Sequence, residues 1–155
     1  MLFRSTIQPE LLDELPATDA RAIRSRRDLN LINLLMGNFR WQRGAIRKHA
    51  QAAVLGVVEI GAGDGTLLNQ LMNSFNSVPL TGLDLIGRPG SLHYDINWVP
   101  GDLMKSLGGL RGGVLIGNLI LHHFHPADLE IIGRHCGRFQ VVAFSEPLRS
   151  RRGHF

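Results

Sequence analysis

The residues best suited to chemistry cluster in "VVEIGAGDGTLL", Val57 to Leu68. An apolar run meets the carboxylate of Glu59, and Gly61, Gly63 and Gly65 follow at alternate positions. Glycine lets a ligand approach the backbone closely and permits the unusual turns such approach requires. Phosphate is one guest for a glycine-rich loop that opens a helix. An adenosine-bearing cation is another. The spacing is G-x-G-x-G, not the G-x-G-x-x-G of dinucleotide sites, and no Lys-Ser/Thr pair follows the last glycine as a P-loop requires. Glu59 and Asp64 would repel a phosphate. The same carboxylates suit a ligand with a positive centre or an ammonium group.

Further candidates follow along the chain. Asp84 in "LTGLDL" closes the next apolar run, and an ionised carboxylate offers two acceptor oxygens to ribose hydroxyls. Nicotinamide dehydrogenases use the same device, so Asp84 alone does not separate the cofactor classes. Its other reading is a helix cap or turn. Asp102 in "WVPGDLM" also has a turn role open to it. "IGNLILHHFH" brings Asn118 and Leu119 together with His122, His123 and His125. Histidine titrates near neutral pH, so His122 and His123 are candidate bases on the substrate side. Packing or capping at a helix start is the alternative. No Cys or Asp ligand lies nearby at metal spacing, so no metal is expected. Glu146 in "FSEP" either faces the same cleft or closes a turn before Pro147.

An alternating scaffold is needed to position these groups. Helical spacing predicts a helix over residues 17–38, with Thr18 as N-cap and Leu29, Ile32, Leu35 and Met36 on one side. Gly37-Asn38 is its expected terminus. A second helical piece covers 40–53. Strands are expected within 54–61, 78–87, 93–103, 111–121 and 139–147, with helices over 64–75 and 125–135 between them. Such apolar runs imply a parallel sheet covered on both faces. Right-handed crossovers then give a doubly wound α/β fold, in which ligands bind beyond the carboxyl ends of the strands. The glycine loop falls there.

With these motifs in order, residues 54–147 resemble the class I S-adenosylmethionine (SAM)-dependent methyltransferases of small-molecule type. The resemblance implies a Rossmann-like core binding SAM, and methyl transfer to a small organic acceptor. It assigns Glu59, Gly61, Ala62, Gly63 and Gly65 to the methionine moiety, and Asp84 with Leu85 to the nucleoside. Asp102 would accept from the adenine amino group, Leu103 would touch the ring, and Asn118 and Leu119 would meet the cofactor's methionine end. His122, His123 and Glu146 fall on the substrate side. Residues 1–50 become a helical lid, with Asn33, Asn38 and Arg40 reaching the site and Trp41 packed as a core aromatic. Residues 51–155 become the SAM-binding domain.

One departure matters. The family core usually has seven strands, the last two forming an antiparallel pair beside strand five, and only five are legible here. The fifth strand is then uncovered, and an open edge invites self-association. The expectation is a truncated methyltransferase domain; a short protein completed by a partner and a decayed, weakly binding product are the alternatives. A non-catalytic SAM-binding module and a nicotinamide dehydrogenase are the functional rivals.

Composition narrows the rest. A length of 155 residues implies one domain. Lys plus Arg number 17 against 13 acids, with basic runs at "RAIRSRR" and "RSRRGHF". These read as a solvated helix face and a tail. Aromatics at 6% supply no stacking platform, and no Asn/Asp-Pro-Pro-aromatic tetrapeptide follows strand four, so nucleic acid is not the expected partner. No run of about 18 apolar residues appears, so no membrane span is expected. Cys136 is the only cysteine; it allows no internal disulfide and reads as a small buried hydrophobe. A reducing compartment fits, and the cytoplasm is the expected location.

Overall fold

Apolar, β-branched runs form the centre of the sheet, and the more mixed ones form its edges. In the computed structural model, which describes residues 36–75 and 77–146, all four residues of β1 (Val57–Ile60) are buried, as are the first four of β4 (Val114–Asn118). The strands β2 (Leu80–Asp84), β3 (Asn97–Pro100) and β5 (Val141–Ser145) complete a five-stranded sheet. Its order is β3-β2-β1-β4-β5, and every pairing is parallel. Among the described residues β5 pairs with β4 alone. The helix expected over 17–38 lies almost wholly outside the described residues. Asn33, Pro147 and both basic runs lie outside them too.

Strand order reverses between β1 and β4, the place where an open α/β sheet leaves a crevice for ligands. Helices cover both faces. On one side, α1 (Asn38–Lys48), α2 (Ala50–Ala53) and α3 (Thr66–Ser74) contribute Ile46, Ala52, Ala53, Leu67, Leu68 and Leu71 to a core with Val57, Val114 and Ile116. On the other, α4 (Leu103–Ser106) and α5 (Pro126–Cys136) pack Leu103 and Ile132 against Val58, Ile60, Leu83 and Leu115. The two sets alternate along β1, as period-two side chains must. Burial raises the Cys136 thiol above its ordinary range.

The expected second helical piece is present but broken at His49, whose φ of −114° and ψ of 42° leave the helical region. Gly37 takes a left-handed φ of 69° at the start of α1. No helix among the described residues is long and apolar enough to cross a membrane.

Candidate functional site

The loop leaving β1 turns through Gly61, Gly63 and Gly65, with φ values of 65°, 58° and 74°. Two of these positions show why side chains are absent. A Cβ on Gly61 would lie 2.7 Å from the Ile120 side chain, so this glycine admits the β4 loop beside it. Among the described residues a Cβ on Gly63 would meet nothing within 4 Å, so this glycine borders open space there. Ala62 is buried, and its N–H donates to Leu83 O at 3.2 Å. Asp64 Oδ1 then accepts from Thr66 N at 3.0 Å, an Asx turn that launches α3 toward the loop.

Asp84, at the tip of β2, ties that loop down. Its Oδ2 accepts from Gly63 N at 2.8 Å and its Oδ1 from Ile86 N at 3.1 Å. Its own carbonyl accepts from Gly101 N at 2.8 Å, after β3. Three successive loops are thus joined at one residue. Leu85, next in sequence, is 70% exposed, an apolar side chain beside an acid on an open face.

Glu59 sits beneath the loop. It is 3% exposed, and its Oε2 is buried without a hydrogen-bond partner. Burial, then the charges of Asp64 and Asp84, raise its carboxyl well above the ordinary value of 4.5. The three acids converge on the carboxyl end of β1, as the sequence suggested.

Across the switch point, Asn118 ends β4 and Leu119 takes a left-handed φ of 53°, the one non-glycine residue to do so among those described. Leu119 N donates to Ser145 O at 2.8 Å. Glu146 Oε1 accepts from both Ile120 N and Leu121 N at 2.8 Å, and its Oε2 lies 3.1 Å from His122 Nδ1. A carboxylate only accepts, so Nδ1 carries the proton in this contact. The His122 and His123 rings lie 4.1 Å apart between centroids in a short 3₁₀ turn. His125 instead takes the N-cap position of α5, ahead of Pro126. Glu146 therefore acts as a clamp on the β4 loop and as an orienter of His122, a role that neither sequence reading, a cleft-facing acid or a turn carboxylate, described.

Asp102 is brought to the same end of the sheet but caps α4, accepting from Met104 N at 2.7 Å. Leu103 is 8% exposed and packs into the core. Its side chain supports the floor of the β3 loop, and Leu85 is the apolar group exposed at that end. Trp41 corrects an expectation. It is 54% exposed on the outer side of α1, because Gln42 and Ile46 take the inward positions. Asn38 lies in the first turn of α1, and Arg40 is exposed.

Gln42 is the residue that sequence reasoning passed over. It is fully buried; its Nε2 donates to Gly117 O at 2.8 Å and Ser145 Oγ at 3.3 Å. The signal was a polar residue one helical turn before Ile46 on an otherwise apolar side.

No protein-family profile matches the chain. No curated protein matches it either. Among solved structures, a SAM-dependent methyltransferase from Archaeoglobus fulgidus superposes with a TM-score of 0.50, covering 74% of this chain and 53% of its own, at 16% identity. The fold is Rossmann-like, a five-stranded parallel sheet with flanking helices as in that methyltransferase. The plantazolicin methyltransferase BpumL, solved with a pentazolic desmethylPZN analogue and SAH, gives a TM-score of 0.45 at 17% identity, covering 55% of this chain and 35% of its own. Human N-acetylserotonin methyltransferase, solved with SAM, gives 0.43 at 16%, covering 79% and 39%. The match thus spans between 35% and 53% of the lengths of these three proteins.

Proposed function

We propose that this chain binds SAM through the glycine loop and serves methyl transfer to a small organic acceptor. The observation that carries this reading is the bond from Gly63 N to Asp84 Oδ2, with open space on the Gly63 side. It sets an acid and a bare backbone around one crevice at the switch point.

The residues present fit such a guest. Glu59 keeps a buried oxygen without a donor, and Asp64 and Asp84 add negative charge to the same strand end. Asp84 is a carboxylate at the tip of β2, an acceptor of the kind ribose hydroxyls need. Leu85 supplies apolar surface for a base. Asn118 and Leu119 bound the opposite wall, held by Ser145 O. When bound, SAM supplies a methyl group already activated on a sulfonium, so the protein's task is orientation and exclusion of water. His122, oriented by Glu146, is the candidate base for a hydroxyl acceptor.

Calorimetry with SAM, its demethylated product SAH and NAD tests the binding claim. Binding of the two sulfur nucleosides without NAD is expected; NAD binding alone overturns it. Turnover on a panel of phenol, alcohol and amine acceptors then separates an enzyme from a module that only binds.

A further inference from the structure

The outer side of α1 carries a hollow of its own. Among the described residues Gly37, Arg40, Trp41, Gly44, Lys48 and His49 line about 610 Å³ of open space. They recur at helical spacing, away from Gln42 and Ile46, which are buried toward the sheet. A Cβ on Gly37 or Gly44 would meet nothing within 4 Å, so the two glycines keep the floor low. The exposed Trp41 indole stands beside them. The cations of α1 divide by side. Arg43 donates to Gln70 Oε1 at 2.8 Å, and Arg47 lies 5.8 Å from the centre of the Phe75 ring, so both are engaged with α3 and its end. Arg40 and Lys48 have no ion-pair partner among the described residues, and α1 contains no acid. An indole between two unmatched cations fits a guest with an apolar centre and an acid on either side.

We propose that this hollow receives residues 9–16 of the same chain, "PELLDELP", as an extended strap. The stretch carries Glu10, Asp13 and Glu14 and no cation. The basic runs outside the described residues have the wrong sign: 21–27 brings four arginines and 147–155 brings three. The spacing fits as well. Along an extended chain Glu10, Leu12 and Glu14 fall on one side, and four residues put the two acids about 13 Å apart. Arg40 and Lys48 are eight helical residues apart, about 12 Å, with Trp41 and Gly44 between them. Each acid then meets a cation, and Leu12 meets the indole. Pro9 and Pro16 favour extended backbone at the residues before them. Residues 17–35 are the tether. Wound entirely as a helix it spans about 28 Å, and the hollow from Gly37 to His49 is about 18 Å long. A tethered guest arrives at high effective concentration, so exposed ion pairs that are weak singly suffice. The proposal does not depend on the SAM reading.

The test uses the full 155-residue chain without ligand. Its lysines are Lys48 and Lys105, so a zero-length carbodiimide has few side-chain amines to join to carboxylates. Peptide mass mapping of the cross-linked monomer is expected to find Lys48 bonded to Glu10, Asp13 or Glu14. Trp98, the other tryptophan, is buried, so acrylamide quenching reports chiefly on Trp41. The triple variant Glu10→Gln, Asp13→Asn, Glu14→Gln should lose the cross-link, shift its emission to the red and quench more readily than wild type. Cross-links from Lys48 only to other acids or only between two copies, no cross-link from Lys48, or equal quenching of wild type and variant, overturns the proposal. A single-stranded oligonucleotide or an anionic phospholipid vesicle that shields Trp41 equally in both proteins gives the hollow to an outside anion and also overturns it. The wild-type map needs no variant, so it decides the matter even if the triple variant does not fold.

Discussion

Gly63 N–H donates to Asp84 Oδ2 across 2.8 Å, joining the loop after β1 to the tip of β2. Asp84 therefore has a structural and a recognition role at once. In Asp84→Ala the N–H groups of Gly63 and Ile86 lose their acceptor. We expect SAM binding to weaken by about 1.5–3 kcal/mol, the range for a hydrogen bond to a charged group. Thermal unfolding should fall as well. Unchanged affinity by calorimetry would count against the assignment.

The glycines predict opposite failures. Gly63→Arg projects into open space, so the variant should fold and lose SAM binding, at a backbone cost of about 1–2 kcal/mol for a left-handed residue. Gly61→Ala carries the same cost and also drives a methyl into Ile120. Its unfolding midpoint in urea should fall further than that of Gly63→Arg. Reversal of that order would show that the open side of Gly63 is misassigned.

Glu59 predicts a pH dependence. Its carboxyl is raised in the fold by burial, then by Asp64 and Asp84, so the folded protein binds a proton more tightly than the unfolded chain. The contribution of Glu59 to the stability of the ligand-free protein is therefore fully present below about 4.5 and is lost as pH rises through the raised value. Glu59→Gln should remove this slope. A cation entering beside Glu59 favours the ionised form, so binding should release protons. Calorimetry in two buffers of different ionisation enthalpy measures that release; identical apparent enthalpies would refute it.

His122 and Glu146 separate chemistry from scaffolding. His122→Ala should lower kcat on hydroxyl acceptors by about 10²–10⁴-fold and leave SAM affinity unchanged. Glu146→Gln keeps an acceptor for Ile120 N and Leu121 N but turns an amide toward His122 Nδ1, so it should fold and lose turnover. Glu146→Ala should also lose stability, by about 2–3 kcal/mol. Equal kcat in wild type and His122→Ala would remove the histidine from the reaction.

Much of this arrangement was legible in the residues. Apolar runs of strand length, separated by helical segments, identified all five strands, and the acids and glycines marked one end of the sheet. What escaped had physical reasons. Helix α4 is a single turn, too short to show a period, so Asp102 read as an adenine contact or a turn residue and its capping bond was hidden. Leu103 lies beside the crevice in sequence, yet its direction depends on how that turn packs. Trp41 and Gln42 are neighbours on α1, and propensity alone would bury the aromatic. Helix rotation is set by Ile46 and by acceptors on two distant strands, which no local pattern reports.

The stitching of three loops through Leu83, Asp84 and Gly101 has a kinetic consequence. A crevice whose walls are already joined needs no assembly when a guest arrives. Rapid-mixing traces should then show one phase whose rate climbs linearly with nucleoside concentration and reaches no plateau.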